Sequence, residues 1–162
     1  MVSTGVINID KPEGLTSMDV VRRIRKITNV RRVGHGGTLD PFASGVLPVA
    51  IGNATRLLEY MLNGDKTYYA EIELGKSTDT YDRSGKQTYM RDPSGVTESH
   101  VKEGLKEFEG DILQIPPMFS ALKSNGKKLY ELARQGIEVQ REARKVTVSR
   151  VELIDFKNPF LH

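Results

Sequence analysis

Gly34-His35-Gly36-Gly37-Thr38-Leu39-Asp40-Pro41-Phe42-Ala43-Ser44-Gly45-Val46-Leu47-Pro48 joins a helical pattern on its N-terminal side to a strand pattern on its C-terminal side. It holds four glycines, two prolines and one carboxylate, Asp40, with His35 five positions earlier. Glycine allows positive φ and close backbone approach to a ligand, while Pro41 biases Asp40 towards an extended conformation. Two readings stand on composition alone. The stretch is a rigid loop presenting one acid to something bulky, or it is a turn-rich connection whose Asp caps a turn.

Working outward, Gly5 to Asp10 reads as a buried strand stopped by Lys11-Pro12-Glu13-Gly14. A helix follows, capped by Thr16 or Ser17. Val20, Val21, Ile24 and Ile27 form its apolar stripe, leaving Arg22, Arg25 and Lys26 on other faces, free for a partner. Beyond the Asp40 loop, Val46 to Ile51 is a strand and Asn53 caps a short helix through Leu62. Asn63-Gly64-Asp65 is a turn, and Lys66 to Leu74 alternates as a half-buried strand. A loop over Ser77 to Gly85 leads to a strand at Lys86 to Met90, then a helix from Thr97 to Phe108 carrying Val101, Leu105 and Phe108. Asp111 to Ile115 and Phe119 to Lys123 read as strands, Ser124-Asn125-Gly126 as a turn, and Leu129 to Gln135 as a helix closed by Gly136. Val146 to Phe156 is the last strand. This order is not strictly βαβ and predicts an α+β fold with a mixed, mostly antiparallel sheet and flanking helices.

The 162 residues suffice for one domain with a real core, hydrophobic content is 38%, and no apolar run approaches a membrane span. The N-terminal residues lack a basic segment ahead of an apolar one, so no secretory signal is expected. The absence of cysteine excludes disulfides, thiol nucleophiles and cysteine-based zinc sites, and fits a cytoplasmic location. Net charge is only +3, but six of the eleven residues from Arg22 to Arg32 are basic and none is acidic. Those six are Arg22, Arg23, Arg25, Lys26, Arg31 and Arg32. A second basic group runs through Lys123, Lys127, Lys128, Arg134, Arg141, Arg144 and Lys145. Such clusters attract phosphates by counterion release; a solvated cationic helix face is the alternative.

Other chemistries find little support. His35 and Asp40 lack a third metal ligand nearby, with His100 on a helix face and His162 remote in sequence. Ser44 lacks the G-x-S-x-G setting of a serine hydrolase, and Gly34, Gly36 and Gly37 miss the dinucleotide and P-loop spacings.

Several motifs in order resemble the tRNA pseudouridine synthase B family. Asn8 to Gly14 is similar to its first motif, Gly34 to Pro48 to its catalytic-aspartate motif, and Asp65-Lys66-Thr67-Tyr68 to the segment with its active-site tyrosine. Leu74 to Asp82, Gln114 to Lys123 and Gly126 to Tyr130 also match, more like the bacterial stand-alone enzymes than relatives that work in guide-RNA particles. The resemblance implies an isomerase that converts uridine 55 in the tRNA T loop to pseudouridine, with no cofactor and no metal. The N1–C1′ bond breaks, the uracil turns, and C5 joins C1′. Asp40 then either attacks C1′ or assists loss of the 2′ proton, while Tyr68 stacks on the flipped uracil. His35 fills the space the base leaves, and Asp82 belongs to the active-site network. The charge pattern, rather than the resemblance, makes Arg22, Arg25, Lys26, Arg31 and Arg32 the expected contacts to the RNA backbone. Taken without the resemblance, Tyr68 reads as a core or interface tyrosine and His35 as a structural histidine.

The implied partner is the tRNA T stem-loop, bound by a monomer needing no protein partner or membrane. Family members continue past the match to His162 into a motif of Gly-Thr-Tyr-Ile-Arg type, whose arginine pairs with the catalytic aspartate, and then usually into a C-terminal PUA domain. The expectation is therefore the N-terminal part of a catalytic domain, residues 1–162, with the PUA domain absent. A second function stays open, an inactive RNA-binding or tRNA-folding module.

Overall fold

The computed structural model describes residues 4–120, 122–124 and 126–162. The chain forms two compact units, Met1–Thr67 and Tyr68–His162.

In the first unit, β1 (Gly5–Lys11) leads into α1 (Ser17–Thr28). The Thr16 hydroxyl accepts from the Asp19 amide while the Asp19 carboxylate accepts from the Thr16 amide, a reciprocal cap that satisfies two orphan donors. Asp19 in the first turn and Arg25 and Lys26 in the last complement the helix dipole. Then β2 (Val33–His35) and β3 (Gly45–Ile51) complete an antiparallel sheet of order β1-β3-β2. Alternation puts Leu47, Val49 and Ile51 on one face, with Ile9 opposite Leu47 and Val33 opposite Ile51. These side chains close a core with Val20 and Val21 of α1, and Ile24, Val30 and Leu39 pack around it.

The other face carries Gly34 beside Ala50 and receives α2 (Leu58–Leu62), which follows a 3-10 turn over Gly52–Leu57. A Cβ on Gly34 would stand 2.8 Å from Leu58 Cδ1, so the absence of a side chain there lets the helix approach the sheet. The sheet thus lies between two helices, and the segment from Gly36 to Ser44 connects β2 to β3.

In the second unit, every pairing among the described residues is again antiparallel, but the ladders are short and separate. Strand β4 (Ile72–Glu73) pairs with β12 (Phe160–Leu161), which also pairs with β11 (Phe156–Lys157). A hairpin joins β5 (Lys76–Thr78) to β6 (Gln87–Met90). Helix α3 (Glu98–Leu105), capped by Thr97, precedes β7 (Gly110–Gln114), which pairs with β10 (Arg144–Val148). Between them lie β8 (Lys123–Ser124), β9 (Lys127–Lys128) and α4 (Leu129–Arg134). Gly136, at φ 72, ends α4, with its amide donating to the Ala133 carbonyl. Val101, Leu129, Leu132 and Leu161 are buried apolar residues in this unit. No helix among the described residues is long and apolar enough to cross a membrane.

The α+β class and antiparallel pairing agree with the sequence reading; several details do not. Ile27 is 78% exposed, because the chain reverses at left-handed Asn29 and Val30 packs at the core instead. Phe108 is likewise exposed, on a 3-10 turn that ends α3. Asn53 caps nothing; its amide donates to the Thr4 hydroxyl. Of the strand expected from Lys66 to Leu74, only Ile72 and Glu73 find a ladder partner, and Tyr68 and Tyr69 are exposed. Alternation stabilises a strand only when its apolar face has something to bury against. Val146 to Phe156 divides between β10 and β11, because their partners β7 and β12 are different strands. Of the strand expected from Phe119 to Lys123, Phe119, Ser120 and Leu122 lie in no strand and Lys123 begins β8, while Ala121, like Asn125 of the turn expected at Ser124-Asn125-Gly126, lies outside the described residues.

Candidate active site

Asp40 is exposed, and the residues on both sides of it are fastened. Before it, the Leu39 amide donates to Ser17 Oγ at 2.9 Å and Ser17 Oγ donates to the Leu39 carbonyl at 3.1 Å. Ser17 is buried at the first turn of α1, so the helix start that Thr16 caps also holds the loop. After it, the Gly14 amide donates to the Pro41 carbonyl at 2.7 Å. The Asp40 carbonyl accepts from the Ala43 amide at 3.0 Å, and the Gly36 amide donates to the Pro48 carbonyl at 2.8 Å. No described residue donates to the Asp40 carboxylate. A free acid on an anchored backbone can meet an incoming ligand with little reorganisation, the condition for efficient nucleophilic or general-base chemistry.

Lys11 supports this loop from below. Strand parity puts its side chain on the same face as Ile9, at the register position opposite Gly45. The side chain is fully buried, and Nζ donates to the carbonyls of Pro12 at 3.0 Å and Leu15 at 2.8 Å. Those bonds tie down the turn that carries Gly14. Lys11→Met is expected to leave two carbonyls short of a donor, costing about 1–3 kcal/mol, read as a lowered Tm in thermal denaturation. An unchanged Tm would contradict this account.

His35 ends β2, half-buried, with Nδ1 2.5 Å from the Gly37 carbonyl. That geometry makes Nδ1 the donor and fixes the ring orientation. Of the basic residues before the loop, Arg22 pairs with Asp19, and Arg25 donates to the Val33 carbonyl at 2.9 Å. Arg22 and Arg25 are therefore not free, contrary to the sequence reading. Arg23, Lys26, Arg31 and Arg32 are exposed, and their side chains have no partner among the described residues.

In the second unit, Tyr68 is 72% exposed. Asp82 is half-buried between β5 and β6, where its Oδ1 accepts from the Thr80 hydroxyl, the Ser84 amide (both 2.8 Å) and the Ser84 hydroxyl. Burial opposes the charged form of Asp82, but the Ser84 hydroxyl and amide and the Thr80 hydroxyl together outweigh it and hold the carboxyl below its ordinary value.

Residues 25–162 match the TruB family pseudouridylate synthase N terminal domain. The chain belongs to the TruB family. It is 52% identical over 157 residues to tRNA pseudouridine synthase B of Dehalococcoides mccartyi, covering 97% of this chain and 52% of that protein. The corresponding protein of Clostridium acetobutylicum is 50% identical, with 97% and 54% covered. The chain therefore spans about half the length of these curated relatives. Among solved structures, it is similar to a chain of an H/ACA RNP bound to a substrate RNA containing 2'-deoxyuridine. There the TM-score is 0.65 and the identity 32%, covering 97% of this chain and 35% of that one. A chain of a Cbf5-Nop10-Gar1 complex gives a TM-score of 0.62 and 34% identity, covering 98% and 38%.

Within the TruB motifs, the sequence reads Lys11 only as part of a strand stop and Ser17 only as a possible helix cap, not as anchors of the Asp40 loop. A lysine at the inward register of a strand ending in Lys-Pro is the legible trace of the first. The second is one of two adjacent hydroxyl residues at a helix start, where a single cap needs only one.

Proposed function

We propose that this chain is the N-terminal part of a catalytic domain that isomerises uridine 55 in the T loop of tRNA to pseudouridine, in the cytoplasm and without a cofactor or metal. The observation that carries the reading is the Asp40 loop: the only carboxylate of the loop, exposed and unpartnered among the described residues, on a backbone anchored at Leu39 and Pro41. Support comes from the TruB family match and from curated relatives named as tRNA pseudouridine synthases. Asp40 acts on the ribose, at C1′ or through the 2′ proton, after the target nucleotide is flipped from its loop. Tyr68 stacks on the uracil, and the fixed ring of His35 packs in the space the base leaves. Asp82 completes the active-site network. The test is mass-spectrometric detection of pseudouridine in a T stem-loop transcript, using the chain joined to the C-terminal half of the Dehalococcoides mccartyi synthase. Unmodified transcript at full binding would refute the assignment.

The RNA backbone is held by the cationic side chains near the loop, Arg22, Arg25, Lys26, Arg31 and Arg32, joined by Arg23. Because Arg22 and Arg25 have internal partners, the remaining four carry most of the phosphate contact. Replacing Arg23, Lys26 and Arg31 with Ala is expected to flatten the slope of log Kd against log salt by about 2–3, measured by anisotropy with labelled RNA. R22A is expected to change it by less. Equal effects from both sets, or no salt dependence, would show that these faces are merely solvated.

A further inference from the structure

Tyr81 has φ 62, a left-handed backbone rarely tolerated by a bulky side chain. The one other non-glycine of this kind among the described residues is Asn29, an ordinary helix C-cap. Burial does not compensate Tyr81, since it is 78% exposed. The surrounding loop imposes the conformation. The Tyr81 amide donates to the Thr78 carbonyl, and the Asp79 amide and carboxylate bond the backbone of Lys86 at 3.0 and 2.8 Å. Asp82 gathers Thr80 and Ser84 around its carboxylate, and the Thr78 hydroxyl donates to the Asp82 carbonyl at 2.7 Å. A side chain on Gly85 would collide with Thr80 and Asp79, so the turn closes tightly against itself.

The outcome is a strained, cross-braced loop that holds an aromatic ring out in solvent. Strain retained without burial points to function. We propose that Tyr81 is a stacking platform for an unpaired nucleobase of the RNA substrate, an inference that rests on the RNA-modifying reading above. A ring presented on a rigid loop loses little freedom on binding, and stacking accepts any base because each has a π-face. The loop's acids do not oppose an approaching polyanion strongly: Asp79 and Asp82 are both bonded within the turn, and Lys86 adds an exposed cation.

The test uses anisotropy with a labelled T stem-loop transcript, comparing the parent chain with Y81F, Y81A and Y81N. Y81F is expected to bind within twofold of the parent. Y81A and Y81N are expected to bind about tenfold more weakly, with the log–log salt slope unchanged because no phosphate contact is lost. Asn tolerates the left-handed region, so Y81N is also expected to melt about 2 °C or more above the parent, which separates lost stacking from lost folding. The chain has no tryptophan, so Y81W supplies a single indole whose emission is expected to fall when RNA stacks on it. Parent-like affinity in Y81A and Y81N, or unaltered Y81W emission at saturating RNA, overturns the proposal while leaving RNA binding in place. No RNA binding by the parent overturns both.

Discussion

Asp40→Asn is expected to slow pseudouridine formation by ~10³-fold or more while leaving the Kd for tRNA within a few-fold. The amide keeps the size of the carboxylate and has no described intramolecular bond to disturb, since no neighbour donates to the acid. The Leu39, Pro41 and Ala43 bonds that shape the loop are all made by backbone or by Ser17, so the substituted loop retains its conformation. On the proposed function, what is lost is the group that attacks C1′ or takes up the 2′ proton. The measurement is single-turnover conversion of a T-loop transcript by the chain joined to a relative's C-terminal half, with binding followed separately. A rate within a few-fold of the parent would remove Asp40 from the chemistry.

The second large effect concerns residues 1–162 assayed alone. No measurable turnover is expected, and a C-terminal half of the Dehalococcoides mccartyi synthase supplied in trans is expected to raise the rate by ~10²-fold or more. Two arguments support this. The chain spans about half of its curated relatives, and the resemblance puts the arginine that pairs with the catalytic aspartate in the half beyond it. The second unit also leaves Tyr68, Tyr69, Ile72, Leu113, Ile115 and Ile154 exposed, a large apolar area for its short ladders. The same C-terminal half with that arginine changed to Ala is expected to associate without restoring the rate. Robust conversion by residues 1–162 alone would show that the acid needs no cation from elsewhere. RNA binding without conversion in every combination would favour the inactive RNA-binding module.

The elements legible in the sequence are those decided within a few residues. Thr16 and Asp19 cap α1 reciprocally, Val20 and Val21 repeat at helical spacing, and Gly136 takes the left-handed position that stops α4. Strand β3 was also readable, because a continuous apolar run between turn residues has few alternatives; β1 was readable as a strand, but Val6 and Ile7 are exposed where a buried strand was expected. The Asp40 loop stood out because its glycines, prolines and single acid form one compact string.

Tertiary structure decided the rest. Strand β2 exists because Gly34 and His35 pair with Ala50 and Val49, and a Gly-His segment has no strand signal of its own. The alternation from Lys66 to Leu74 yields only two paired residues, since its partner β12 lies near the other end of the unit. Arg22 and Arg25 look as free as Lys26 in one dimension; Asp19 and the Val33 carbonyl engage them only in the fold. Lys11 is buried because the fold brings two carbonyls to its ammonium group, and Tyr81 is strained because the bonds of its loop outweigh its own backbone preference. Capping, periodicity and turn chemistry act through neighbours in the chain and so are written in it. Pairing, register and the satisfaction of buried polar groups depend on residues brought together by folding, and a single line of sequence does not state which those are.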